Sequence, residues 1–294
     1  MRSEFLFERP NWLKCFSPVD FFGVVYDLKP VSRSGVSEED RNYLKMLAKK
    51  WGLELKIKRI RPYRKKESVL LAYISKSKKD IDRAAKAEEN DDRLKVGELF
   101  GYPPCCTNFF IKTLAQKVPC SRPNCKYDYN LVEKILQNSK KLNFLLNSIY
   151  NFSGKGDSSL ISKDENFARI CNYNLFMIPH QPCSFDCKDS IKFGKKMQKI
   201  LVRELPGFCK SVESFLKKPV IVWNDHEFCT LEGNKIGDAI KYSLLINELS
   251  IDFSGFKEGL SAGNSVIAYK DSLRVYKDKS LICKIEKGLL LQFS

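Results

Sequence analysis

Residues 101–106 read GYPPCC, that is Gly101-Tyr102-Pro103-Pro104-Cys105-Cys106. Two prolines stiffen the approach to two adjacent thiols, and residues 107–116 (TNFFIKTLAQ) continue with helical character. Proline is well tolerated at the first position of a helix, so the stretch predicts a helix start with both cysteines in its opening turn. It also divides the chain. The N-terminal side reads as a small α/β unit, and the C-terminal side begins as a mainly helical region.

Upstream, residues 21–28 (FFGVVYDL) are short, apolar and partly β-branched, which predicts a strand. Ser37 is placed to cap a helix whose first turn holds Glu38, Glu39 and Asp40. In it Leu44, Leu47, Ala48 and Trp51 recur at helical spacing, and Gly52 ends it. Residues 53–60 and 68–75 alternate as strands, and 78–99 reads as one polar helix leading into the GYPPCC turn.

Downstream, the prolines and cysteines of 118–130 predict a loop. Residues 131–150 predict a helix that buries Leu131, Ile135, Leu142, Leu145 and Ile149. Residues 151–164 read as a flexible connection, and a helix is expected over 184–205. Short alternating runs at 220–223, 228–231, 266–270, 273–276 and 281–285 predict a β-rich C-terminal part built of hairpins. The fold class is therefore α+β. Three regions are expected: a basic α/β unit over 1–95, the cysteine-motif region over 96–216, and a hairpin-rich region over 217–294.

The composition sets outer limits. The chain has 294 residues, 43% hydrophobic content and 20 phenylalanines, which is enough for a sizeable core. No apolar run approaches the ~18 residues a spanning helix needs, so no membrane partner is expected. The start, MRSEFLFERPNWLKCF, lacks a continuous apolar segment and does not read as a signal peptide. These features predict a cytoplasmic protein. In a reducing compartment, clustered cysteines point to metal or thiol chemistry rather than to a disulfide framework, which sets the context for the eleven present.

A second proline-led turn answers the first. Residues 180–187 read HQPCSFDC, so Pro182 precedes Cys183, Cys187 lies four residues on, and His180 lies just upstream. A helix start carries unpaired N–H groups and partial positive charge, which favour the thiolate, and only the thiolate binds metal or attacks an electrophile. If the expected helix begins at Ser184, Cys183 and Cys187 share one face. Cys105, Cys106, Cys183 and Cys187 together offer four thiolates, the usual number for an iron–sulfur cluster of the 4Fe-4S kind. Adjacent cysteines diverge by about 100° on a helix, which suits several irons better than one ion. Zinc is the alternative, with one cysteine of the pair and His180 among its ligands. His180 is otherwise a candidate catalytic proton donor.

Other cysteines carry weaker signals. Cys120 and Cys125, in PCSRPNC, have no partner pair of matching spacing, and Cys15, Cys171, Cys209, Cys229 and Cys283 read as core residues. Asp186, Asp189 and Ser190 are candidate supporting partners of the second turn. His226 reads as a solvated turn residue. No phosphate-binding loop, dinucleotide glycine fingerprint, CxxxCxxC motif or nucleophile elbow is present.

The formal net charge is +16, from 51 basic and 35 acidic residues. Residues 56–66 (KIKRIRPYRKK) concentrate it in Lys56, Lys58, Arg59, Arg61, Arg64, Lys65 and Lys66, with Tyr63 among them. Such a stretch suits phosphate contact and base stacking and makes RNA a candidate partner.

LFGYPPCC followed by HQPCSFDCKDS resembles an uncharacterised, mainly archaeal family, a domain of unknown function with a GYPxCC turn and an HxPCSxxxC turn. The matching positions are Gly101, Tyr102, Pro103, Cys105, Cys106, His180, Pro182, Cys183 and Ser184, with Cys187 one residue short of the pattern's last cysteine. Phe100 stands where the family pattern has leucine. The resemblance covers roughly residues 95–200 and implies that the two turns form one site, while implying nothing about substrate.

The expectation is a cytosolic metalloprotein holding an iron–sulfur cluster, or zinc, and acting in RNA modification or in sulfur or electron transfer. The alternatives are a metal-free thiol enzyme using Cys105 or Cys183 with His180, and a non-catalytic nucleic-acid-binding protein stabilised by zinc.

Overall fold

The structure, a computed structural model, describes residues 15–60, 69–115, 129–149, 176–224, 227–249, 255–270 and 272–294. The described residues group into two compact units. The first lies within Met1–Gln116, Met177–Cys183 and Lys188–Cys209, the second within Lys117–Phe176, Ser184–Cys187 and Lys210–Ser294. The chain is α+β, as its sequence predicts.

The first unit opens with helix α1 (Pro18–Val25). Strand β1 (Val31–Gly35), helix α2 (Asp40–Lys50) and strands β2 (Glu54–Ile60) and β3 (Val69–Ser75) come after it. Next are helices α3 (Lys78–Glu89), α4 (Arg93–Leu99) and α5 (Pro104–Ala115). The strands form an antiparallel sheet in the order β1–β3–β2, with Val31 opposite Ser75 and Leu55 opposite Ile74. Ile81, Ala84 and Ala85 of α3 recur at helical spacing, and they bury with Val31, Leu71, Tyr73, Leu99 and Phe100 to form the core.

Three expectations fail here for local reasons. Helix α2 begins at Asp40, so Ser37 does not cap it; the Ser37 N–H and hydroxyl donate instead to Asp40 Oδ2 at 2.8 Å. Residues 21–28 are not a strand, because most of them complete α1. Pro18 occupies its first turn, and Ser17 Oγ accepts the N–H of Asp20 at 3.0 Å. The helix is buried nearly all round, so it shows no amphipathic period to betray it. The single helix expected over 78–99 is two. Asp91 adopts φ 51°, a left-handed conformation that ends α3, and Asp92 caps α4 by accepting the N–H of Lys95 at 3.0 Å.

Helix α6 (Tyr129–Gln137) belongs to the second unit and is shorter than the helix expected over 131–150. Ser139 Oγ donates to the carbonyl of Ile135 at 2.6 Å and accepts the N–H of Phe185 at 2.7 Å. Beyond it Asn143 caps a 3₁₀ turn over Phe144–Leu146. Leu131, Ile135, Leu145 and Ile149 are buried as expected, and Leu142 is half-buried. Helix α7 (Lys188–Glu204) lies in the first unit, and α8 (Pro206–Leu216) comes next along the chain.

The C-terminal part is β-rich. Strands β4 (Val220–Asn224), β5 (Glu227–Ile236) and β6 (Ala239–Leu249) precede helix α9 (Phe256–Ala262). After them come β7 (Ser265–Ala268), β8 (Ser272–Lys277), β9 (Ser280–Glu286) and β10 (Leu289–Leu291). They form one antiparallel sheet in the order β10–β4–β5–β6–β7–β8–β9. Ile221, Trp223, Cys229, Leu231, Ile240, Phe256, Leu260 and Val275 are among the residues of its core. No described helix is long and apolar enough to cross a membrane.

Candidate metal centre

The first cysteine turn is built by its neighbours. Helix α4 ends at Leu99, and the chain turns at Gly101, whose φ of +70° is a conformation side chains disfavour. A Cβ there would also lie 2.8 Å from Lys29 Cβ and 3.0 Å from Lys29 Cα, so the close approach needs glycine as well. The carbonyl of Pro103 accepts the N–H groups of both Cys106 and Thr107 at 3.0 Å, which starts α5 with Pro104 at its head. Cys105 and Cys106 therefore sit in the first turn, as the sequence predicts. Their sulfurs lie 3.8 Å apart.

The second turn differs from expectation. Helix α7 begins at Lys188, not at Ser184, so Cys183 and Cys187 do not share a helix face. They bracket a tight loop instead, closed by the N–H of Cys187 donating to the carbonyl of Ser184 at 3.2 Å. The consequence for the sulfurs is the same. Those of Cys105, Cys106, Cys183 and Cys187 all lie within 4.8 Å of one another and form a group able to hold a metal ion. Cys105 is exposed, Cys183 half-buried, and Cys106 and Cys187 buried.

Cys106 has two polar neighbours outside the sulfur group. Its sulfur accepts the N–H of Cys183 at 3.3 Å and lies 3.2 Å from Ser190 Oγ. Ser190 Oγ in turn lies 2.8 Å from His180 Nε2, so buried His180 reaches the sulfur group through Ser190. His180 is not one of the four ligand positions. Its ring packs against Tyr102, with centroids 5.4 Å apart, and against Phe193 at 6.1 Å. Low-dielectric surroundings raise the Tyr102 phenol above its ordinary pKa, and the charge of Asp20 adds to this.

Of the other candidate partners, Asp186 supports the loop rather than the sulfurs. Burial pushes its carboxyl up, but hydrogen bonds from the backbone N–H of Lys140 and from Ser184 outweigh that and leave it below the usual value. Asp189 is exposed in the first turn of α7.

The basic stretch is only partly described, and its described half is already paired. Lys56 Nζ lies 2.7 Å from Asp82, Arg59 meets Glu38 at 2.9 Å, and Lys58 pairs with Glu89. Arg61, Tyr63, Arg64, Lys65 and Lys66 lie outside the described residues, as do Cys120, Cys125, Cys171, His226 and residues 151–164. Cys15, Cys209 and Cys229 are buried and Cys283 is half-buried.

Two features near the turns escape a reading of the sequence. Lys29 is almost wholly buried and donates to Asp20 Oδ1 at 2.6 Å, while Ser32 donates to the same oxygen at 3.0 Å. A cavity of about 610 Å³ lies beside the first cysteine turn, with Tyr102, Pro103, Pro104 and Phe193 in its wall. The cavity joins residues distant along the chain, and the Lys29–Asp20 pair, nine residues apart, follows no helical or strand period. No family model, curated protein or solved structure matches this chain.

Proposed function

We propose that this chain is a metal-binding protein in which Cys105, Cys106, Cys183 and Cys187 hold one tetrahedral zinc ion as thiolates. The observation that carries the reading is the mutual spacing of the sulfurs, all within 4.8 Å. A zinc–sulfur bond of about 2.3 Å places the corners of a tetrahedron roughly 3.8 Å apart. In a four-iron cluster each thiolate sits on a different iron, and the outer sulfurs stand on the order of 6 Å apart. Sulfurs no more than 4.8 Å apart are closer to the single-ion arrangement. The divergence expected of adjacent helical cysteines is absorbed by their side chains, which bring the two sulfurs to 3.8 Å.

The surroundings of Cys106 support a ligating thiolate. A thiolate accepts hydrogen bonds and donates none, so Ser190 would donate to the sulfur and accept from His180 Nε2–H. Together with the N–H of Cys183 these bonds stabilise the charge and orient the ligand, as supporting groups around a metal do. The chain from His180 ends on Cys106, whereas the thiol-enzyme alternative places the nucleophile at Cys105 or Cys183. With all four positions filled by protein, the ion is structural: it ties the loop from Cys183 to Cys187 to the start of α5.

The test is anaerobic purification followed by metal and sulfide analysis. One zinc per chain, a colourless solution and no acid-labile sulfide are expected. A brown protein with several irons and sulfide would replace this reading with the cluster, and would reopen sulfur or electron transfer. Metal-free folded protein that loses an activity on alkylation would favour the thiol enzyme.

A further inference from the structure

Helix α7 starts next to the second cysteine turn and presents a row of cations. Its inward face is Ser190, Phe193, Gly194, Met197 and Leu201. Lys188, Lys192, Lys195, Lys196 and Lys199 all lie on the exposed side. None of the five forms an ion pair with a described residue, in contrast to Lys56, Lys58 and Arg59 on β2. At about 1.5 Å of rise per residue, Lys192 and Lys196 are roughly 6 Å apart along the helix. That is close to the step between successive phosphates of an extended single strand.

The row runs into the cavity beside the first cysteine turn. Lys192 and Lys196 line that cavity together with Tyr102, Phe193, Pro103 and Pro104. Two of its acids are neutralised: Asp27 pairs with Lys76 at 2.6 Å and Glu98 with Lys95 at 2.7 Å. The mouth therefore keeps two cations against Asp189. A volume of about 610 Å³ lies in the range of small-ligand sites and admits a nucleotide. The bases of a duplex are stacked and paired, so an unpaired base is the one free to turn into this open-mouthed cavity.

From this we infer that α7 and the cavity at its start form a docking site for a single-stranded nucleic acid. The lysine row takes consecutive phosphates, and the cavity receives one unstacked base. This site does not depend on which metal the cysteines hold, and it adds α7 to the 56–66 stretch as a candidate nucleic-acid surface.

The experiment is fluorescence anisotropy of the full chain with a labelled 12-nucleotide single-stranded RNA of mixed sequence, titrated at several salt concentrations. Binding that weakens steeply with salt is expected. The pair Lys192→Glu and Lys196→Glu should weaken it about tenfold or more and flatten the salt slope by roughly 1.4, the share of two phosphate contacts on a single strand. Lys45→Glu with Lys49→Glu changes the net charge equally at exposed positions of α2 and should change affinity less than about threefold. Metal content and circular dichroism, measured on both double variants, should match the parent.

The inference is overturned if the parent fails to bind the strand at low salt, or if the two double variants weaken binding equally. It is also overturned if a duplex of the same sequence binds more tightly, or if phosphatidylserine vesicles bind to the lysine row while the RNA does not.

Discussion

The cysteines of this chain meet two different fates. Cys105, Cys106, Cys183 and Cys187 converge in proline-led turns beside the backbone N–H of Cys183 and the Ser190 hydroxyl. Cys229 sits instead among Ile221, Trp223 and Leu231 in the core of the large sheet, with Cys283 packed against it. The residue type is the same, so the surroundings decide its chemistry. Hydrogen-bond donors and a helix start favour the thiolate, whereas apolar walls keep the thiol neutral and make it a small hydrophobe. Burial accordingly raises the pKa of the Cys283 thiol.

Serine substitution should separate the two groups most sharply. Cys106→Ser and Cys187→Ser should each abolish stoichiometric metal binding and lower the thermal midpoint by about 10 °C or more, because the binding energy of a structural ion is folding energy. Cys229→Ser should leave metal content intact and cost about 1–3 kcal/mol in urea unfolding, the penalty of a hydroxyl in an apolar core. Metal loss in Cys229→Ser, or full metal content in Cys106→Ser, would erase the distinction.

Glycine substitution probes the same contrast through the backbone. Gly101→Ala forces a side chain into the left-handed region and onto Lys29, so about 2–4 kcal/mol of destabilisation is expected, accompanied by weaker metal retention. Gly259→Ala would instead place a Cβ 2.1 Å from Cys283 Sγ. It should cost about 1–3 kcal/mol and leave metal binding untouched. The discriminating measurement is metal competition with a chromophoric chelator. Equal retention by the two variants would show that the Gly101 turn does not position the site.

How much of this is legible in the sequence depends on distance along the chain. The cysteine turn at 101–106 carries its own punctuation, since glycine, prolines and a helical continuation lie side by side. The hairpin arms at 220–223 and 228–231 are readable for the same reason, and Ile221 does pair with Cys229. Residues 21–28 mislead because a short run buried on all sides loses the period that tells helix from strand. Its cue lies just upstream, in Ser17, Pro18 and Asp20. The second turn reads as helical because four-residue spacing is common to helices and to tight loops. The neutralisation of Lys56, Lys58 and Arg59 is invisible, since their acids are Asp82, Glu89 and Glu38 on other elements. The convergence of the sulfurs is foreseeable only from the likeness of the two turns, and the Ser190 link between His180 and Cys106 only as proximity.

The two regions should behave alike, with a smaller effect, at alkaline pH. Tyr102 beside the cysteine turn and Tyr242 in the sheet both have their phenol pKa raised, in each case chiefly by burial. Tyr242 also donates to the carbonyl of Leu260 at 2.7 Å, a bond that requires the protonated phenol. Below the ordinary tyrosine pKa of about 10, both phenols are neutral in folded and unfolded chains, and their contribution to stability is fully present. As the pH climbs past that value the unfolded chain loses the protons while the folded chain keeps them. Stability must then fall with rising pH, by up to about 1.4 kcal/mol per unit for each group. Urea midpoints at pH 9 and 11 measure the loss. Tyr242→Phe should start lower by about 1 kcal/mol, having left the Leu260 carbonyl unpaired, yet decline less steeply because one of the linked protons is gone. If parent and variant decline in parallel, the phenol of Tyr242 is not held neutral by the sheet, and its surroundings are wetter than the packing around Leu260 implies.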